Sequence, residues 1–202
     1  MSRKLNGRPD HQRFAIANEA ARIIQEEGLS DCRSAKEKAV ERLGLSAGGT
    51  RLPSNEEIDK ALAERLRIFH GADHCQLLTE FRRAALSVLH ALKMHHARLV
   101  GPVLNGTVTD YSTIDLHLFN DLPESIEATF DALGFGHRPT LIRHRFRRGE
   151  TERFPGYRFR TGDFEYTATV FSLKHRRLSP LSPIDGKPMP RAGIREVEAL
   201  LD

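Results

Sequence analysis

The chain has 202 residues, 31 Lys and Arg against 27 Asp and Glu, and a formal net charge of +4. A hydrophobic content of 39% with 29% charged residues, and no low-complexity tract, excludes a disordered or fibrous chain and suits one or two small domains. No window approaches 18 uncharged apolar residues, so a membrane-spanning helix is excluded, and two cysteines cannot form a disulfide framework.

Met1 to Gly7 is basic at its start but has no apolar stretch behind it, so no secretory leader is expected. With so few cysteines, a cytoplasmic protein is the expectation. His11 to Leu29 carries Phe14, Ala17, Ala21, Ile24 and Leu29 at a helical period. Ser30 and Asp31 suit the start of a second helix through Ala35, Ala39, Val40 and Leu43. Gly44 to Pro53 reads as a loop, without the Lys of a P-loop. Ser54 and Glu57 form a capping-box pattern for a third helix presenting Ile58, Ala61, Leu62, Leu66 and Phe69. Gly71 reads as a break, and a fourth helix from Asp73 to His96 presents Leu77, Leu78, Phe81, Ala85, Leu89 and Leu92. Residues 1–97 therefore predict a helical bundle or cap, a candidate surface for a protein partner.

The pattern changes at Arg98. Short apolar pairs flank Gly101-Pro102, Asn105-Gly106-Thr107 reads as a turn, and residues 112–119 alternate as a half-buried strand does. Pro123 to Leu133 predicts a helix, and residues 140–148, 157–162 and 164–171 predict three strands. The expected class is α+β: a helical region, then a small mixed sheet with helices packed on it over residues 98–178. Residues 179–202 predict a Pro-rich strap and a last helix from Arg191 to Leu201.

The run Leu99-Val-Gly101-Pro-Val-Leu-Asn105-Gly106-Thr107, followed by Ser112-Thr113-Ile114-Asp115-Leu116, resembles the signature of the nucleotidyltransferase (DNA polymerase β-like) superfamily. That signature places a Gly-rich turn about ten residues before two carboxylates one residue apart on a strand. Residues i and i+2 share a strand face, so such a pair can hold divalent metal beside a triphosphate. Here Pro102 replaces the small residue after Gly101, Thr113 stands at the first carboxylate and Asp115 at the second. Sliding the frame pairs Asp115 with His117. The resemblance covers roughly residues 98–172.

The resemblance implies that Asp115, His117 and Glu165 act in catalysis, with Asp115 and Glu165 holding Mg²⁺ or Mn²⁺. Gly101, Asn105, Gly106 and Thr107 would contact the phosphates of a nucleoside triphosphate. A catalytically degenerate relative that binds nucleotide, RNA or DNA is the alternative, as is a regulatory module acting through the helical half.

Charge supports a phosphate ligand. Residues 98–137 carry a net −5 and residues 138–177 a net +7. Arg143, Arg145 and Arg147 alternate along one predicted strand, and Arg158 and Arg160 along the next. On adjacent strands these predict one plate of guanidinium groups, with Phe146, Tyr157 and Phe159 opposite, that would neutralise a triphosphate or nucleic-acid backbone. His70 and His74 are spaced to share a helical face, but Gly71 reads as a break between them and no CxxC or HExxH is present, so with His90, His95 and His96 they read as surface and capping histidines, and Cys75 as a buried or inert thiol.

Overall fold

The computed structural model describes residues 9–29, 31–45, 51–147 and 149–202. Met1 to Gly7, the capping role of Ser30, residues 46–50 of the expected loop, Arg148 and the side chains of Phe69 and His70 lie outside the described residues. The fold is α+β, with helices ahead of a five-stranded mixed sheet. Among the described residues no helix is long and apolar enough to cross a membrane.

The chain divides into two compact units, the first comprising residues 1–74, 109–111 and 183–185 and the second the remainder. The division falls within a helix, between His74 and Cys75, whereas the composition changes at Arg98. In the first unit α1 (Pro9–Glu27) and α2 (Cys32–Arg42) bury Ile16, Ala20, Ile23, Ala35 and Ala39 against Ile58. Asp31 caps α2 by accepting from the amides of Arg33 and Ser34. A long helix, α3 (Asn55–Ala91), begins at the expected capping box: Ser54 N–H donates to Glu57 Oε2 at 2.7 Å and Glu57 N–H to Ser54 Oγ at 3.2 Å.

The third and fourth predicted helices are therefore one helix of 37 residues. A lone glycine costs a helix about 1 kcal/mol but leaves its hydrogen-bond ladder intact, and no proline lies nearby to break it. The C-terminal part of α3 turns Phe81, Ala85, Val88, Leu89 and Leu92 into the core of the second unit. His95, expected at the surface, is buried and hydrogen-bonded to Thr129 Oγ1 at 2.8 Å.

The sheet of the second unit runs β1 (Arg98–Val100), β2 (Ile114–Phe119), β5 (Phe164–Phe171), β4 (Glu150–Thr161) and β3 (His137–Arg147) in spatial order. Only β2 and β5 are parallel; the other pairs are antiparallel. A single turn of helix, α4 (Gly101–Asn105), links β1 towards β2, and α5 (Pro123–Ala132) follows β2. Ile114, Leu116, Leu118, Tyr166, Ala168, Val170, Tyr157 and Phe159 form one sheet face, buried against α3 residues and against Ile126 and Phe130 of α5. Strand alternation puts Asp115, His117, Thr167 and Thr169 on the other face.

The β3–β4 hairpin is longer than the sequence predicts: β3 begins at His137 and β4 at Glu150, ahead of the strands expected from residues 140 and 157. Pro155 is tolerated since β4 pairs with β5 only from Gly156 onward; before that its second side is an open edge. The last helix, α6 (Ile194–Glu198), is shorter than expected because Ala192 is spent on an extended bridge to Leu99. Two backbone bonds of 2.8 and 2.9 Å make that bridge and cover the outer edge of β1.

Candidate functional site

β1, β2, β5, β4 and β3 align two polar rows on the sheet face away from the main core. Val100, Asp115, Thr167, Arg158 and Arg138 stand in register across the five strands. In the next row Arg98 stands opposite His117, and His117 opposite Thr169. Asp115 and Arg158 are two strands apart, which at the ordinary strand spacing is about 10 Å between backbones.

Asp115 is half-buried at the start of β2, where Gly101 presses on it. Gly101 has φ +72°, and a Cβ built there would stand 2.7 Å from Asp115 Oδ2. Thr113 Oγ1 donates to Asp115 Oδ1 at 3.2 Å. Desolvation pushes the Asp115 carboxyl up to about 6, against the opposing pull of the Thr113 hydroxyl. Nothing cationic contributes to holding it ionised.

His117 is fully buried, 1% exposed. Its Nδ1 accepts from Arg191 Nε at 3.0 Å, so the neutral ring carries its hydrogen on Nε2. Arg191 comes from the C-terminal segment, and its Nη1 also donates to the carbonyls of His175 and Leu178 at 2.9 and 3.2 Å. Its guanidinium carbon lies 4.9 Å from the ring centre of Phe119 and 5.5 Å from that of Phe171. Burial, with Arg98 nearby, lowers Arg191 to about 10. His144 joins the group from β3, its Nε2 3.0 Å from Thr169 Oγ1 and its ring centre 5.3 Å from that of His117. Burial first, and Arg191 second, hold both imidazoles neutral: His117 well below its usual value and His144 at about 4. Among the described residues, His117 Nε2 and Arg191 Nη2 are buried donors without a hydrogen-bond partner.

The single guanidinium plate is a correction. Register sets Arg158 and Arg160 on the Asp115 face, with Arg138 directly opposite Arg158. Arg143 and Arg145 point to the other face, opposite Arg153 and Thr151. A strand alternates faces strictly, and the hairpin turn sets which residues meet; the sequence periodicity carries the first fact and not the second. Phe146 lies on the face opposite Arg143 and Arg145, as expected, which is the Asp115 face, and packs beside Phe119, Phe154 and Phe171.

Glu165 is exposed on the Asp115 face, opposite Arg160. Gly106 caps α4 with φ +84°, its N–H donating to the Pro102 carbonyl at 2.8 Å, and the Thr107 N–H donates to the same oxygen at 3.0 Å. Asn105 is exposed and Thr107 is buried. The turn thus spends two amides internally.

Among the described residues no group of three or more His, Cys, Asp or Glu side chains is arranged to hold a metal ion. The donors around Asp115 do not fit the two-ion arrangement that the resemblance implies: Thr113 replaces a carboxylate, and His117 has committed its lone pair to Arg191. The residues here that could hold a single divalent ion are the Asp115 carboxylate and the Thr113 hydroxyl beside it. Sequence reasoning missed His144 and Arg191. Arg191 lies 74 residues from His117 and carries no periodic signal, while His144 was hidden among the alternating arginines of β3.

No known protein-family pattern matches the chain, and no curated protein matches it.

Proposed function

We propose that this chain is a nucleotidyltransferase-like cytoplasmic protein that binds a nucleoside triphosphate, with one divalent cation, on the Asp115 face of its sheet. The observation that carries this reading is the desolvated Asp115 carboxyl, pressed against the Gly101 backbone with no cation opposite it. A carboxyl in that setting gains most from a bound cation, since ionisation there is otherwise disfavoured. Arg158 and Arg160, on the same face, supply exposed guanidinium groups for phosphate oxygens. His117, held neutral, accepts from Arg191 and positions it rather than moving protons at neutral pH. With Thr113 in place of a carboxylate, the site favours binding over rapid nucleotidyl transfer.

Labelled ATP, CTP, GTP and UTP, titrated with and without Mg²⁺, test this directly. Metal-dependent binding of at least one, lost in Asp115→Ala, is the expected result. No metal-dependent binding of any of the four overturns it.

A second reading, nucleic-acid binding, is favoured by the β3–β4 hairpin. Arg143 stands directly opposite Arg153, and Arg138 opposite Arg158. Like charges so placed destabilise a sheet unless an anion lies over them. Retention on RNA or DNA that falls steeply with salt, and is lost in an Arg143/Arg145/Arg153 triple alanine variant, supports this reading. Retention indifferent to salt or to the triple variant removes it.

A further inference from the structure

Beside the edge strand β1, sharing only Arg98 with the polar rows of the Asp115 face, lies a cleft of about 300 Å³. We propose that this cleft binds a small phosphate monoester, its phosphate group held by Lys93, Arg98 and Arg195 and its organic part resting on Ile194.

The local chain path builds the cleft. After α3, a short 3₁₀ turn (Lys93–His95) ends in His96, whose left-handed backbone (φ 51°) swings the chain into β1. That places Lys93, His96 and Arg98 along one wall. The C-terminal segment, fixed to β1 through Ala192, returns Ile194, Arg195 and Glu196 to the other wall. Gly193 lets the walls meet: a Cβ there would collide with Arg98 Nη1. Arg98 is accordingly half-buried, its guanidinium lying against Gly193.

The charges do not cancel. Among the described residues no ion pair engages Lys93, Arg98 or Arg195. The one carboxylate in the lining, Glu196, accepts the Gly193 N–H at 2.9 Å, which commits one of its oxygens to the start of α6. His96 is kept from charging by burial and by Arg176 and Arg98, so it adds a neutral ring. Three permanent cations against one carboxylate leave an excess of two positive charges, the complement of a phosphate monoester's roughly −1.5 to −2 at neutral pH. Arginine forks match phosphate oxygens two at a time, and the half-buried Ile194 side chain favours an ester over the bare ion.

This inference does not rest on the nucleotide reading, and its test separates the two. Inorganic phosphate, phenyl phosphate and malonate are titrated into the full chain at low salt, followed by calorimetry and by ³¹P line broadening. Saturable binding of phenyl phosphate, tighter than phosphate and tighter than malonate, is expected. Arg98→Gln and Lys93→Gln each weaken it about tenfold, the loss of one charged hydrogen-bonding partner, while Asp115→Asn leaves it unchanged. Arg195 is exposed on α6, so Arg195→Gln serves as the variant that folds if Arg98→Gln does not. Absence of saturable binding, equal binding of malonate, or binding unaffected by Lys93→Gln and Arg195→Gln overturns the proposal. Loss of binding in Asp115→Asn also overturns it, by moving the anion to the Asp115 face.

Discussion

The Nε–H of Arg191 donates to Nδ1 of His117 across 3.0 Å, tying the C-terminal segment to the internal strand β2. The bond uses the lone pair of a neutral imidazole, and the cation repels a proton from both His117 and its neighbour His144. His117 therefore belongs to the scaffold that holds the Arg191 guanidinium, and His144 packs edge-on against His117, bonded to Thr169.

Removing that cation has a measurable signature. His144 titrates in the fold at about 4, below its usual value, so stability is present above about pH 6.5 and is lost as pH falls from there towards 4. In Arg191→Gln the His144 midpoint, followed by ring-proton NMR, moves upward, because one of its two lowering causes is gone. An unchanged midpoint would show that Arg191 does not sense the ring.

Asp115 has the opposite sign. Its folded value of about 6 lies above the ordinary carboxylate value, so its contribution is complete below about pH 4 and is lost as pH rises through 6. A two-unit rise corresponds to about 3 kcal/mol at most. Asp115→Asn is expected to stabilise the protein at pH 7 by about 1–3 kcal/mol and to give no gain at pH 4. Urea unfolding at the two pH values measures the difference; an equal effect at both would place Asp115 in water. Saturating Mg²⁺ with nucleotide should narrow the gap at pH 7, since the cation offsets the cost of the ionised form.

The α+β order, the capping box at Ser54 and the two faces of β2 and β5 were legible because each rests on local periodicity or on residues within one turn. The single helix α3 was not, since Gly71 lowers helix propensity by an amount that the packing of Phe81, Leu89 and Leu92 outweighs. Gly71→Ala tests this: a Cβ there meets nothing within 4 Å, so the substitution should raise stability by about 0.5–1 kcal/mol in thermal or urea unfolding. Had the chain turned at Gly71, alanine would be neutral or harmful. Asp115 was visible as a carboxylate on an alternating strand, but Arg191, His144 and the partners of each arginine depend on which strands lie side by side.

Register also decides the arginines. Arg153 stands opposite Arg143, both exposed, at the part of β4 that pairs only with β3. Arg153→Glu converts a like-charged cross-strand pair into an opposite one and should stabilise the hairpin by roughly 0.2–1 kcal/mol, with the gain shrinking as salt rises. If the second reading holds, the same variant weakens RNA or DNA retention while raising the melting temperature. A destabilised Arg153→Glu would mean that residue 153 does not face residue 143.

Gly101 carries the sharpest structural demand at the candidate site. Its φ of +72° is one that side chains other than glycine adopt at a cost, and its missing Cβ is the space in which Asp115 Oδ2 sits. Gly101→Ala therefore combines backbone strain with a 2.7 Å contact, and is expected to cost about 1–3 kcal/mol in urea unfolding. Part of that cost is the displaced carboxylate, so the double variant Gly101→Ala/Asp115→Ala should lose less than the two single changes predict together. The same coupling extends to ligand: with Asp115 pushed aside, Mg²⁺-dependent nucleotide binding should fall as far as it does in Asp115→Ala. Additive stabilities, with nucleotide binding intact in Gly101→Ala, would separate the glycine from the carboxylate and remove the turn from the site.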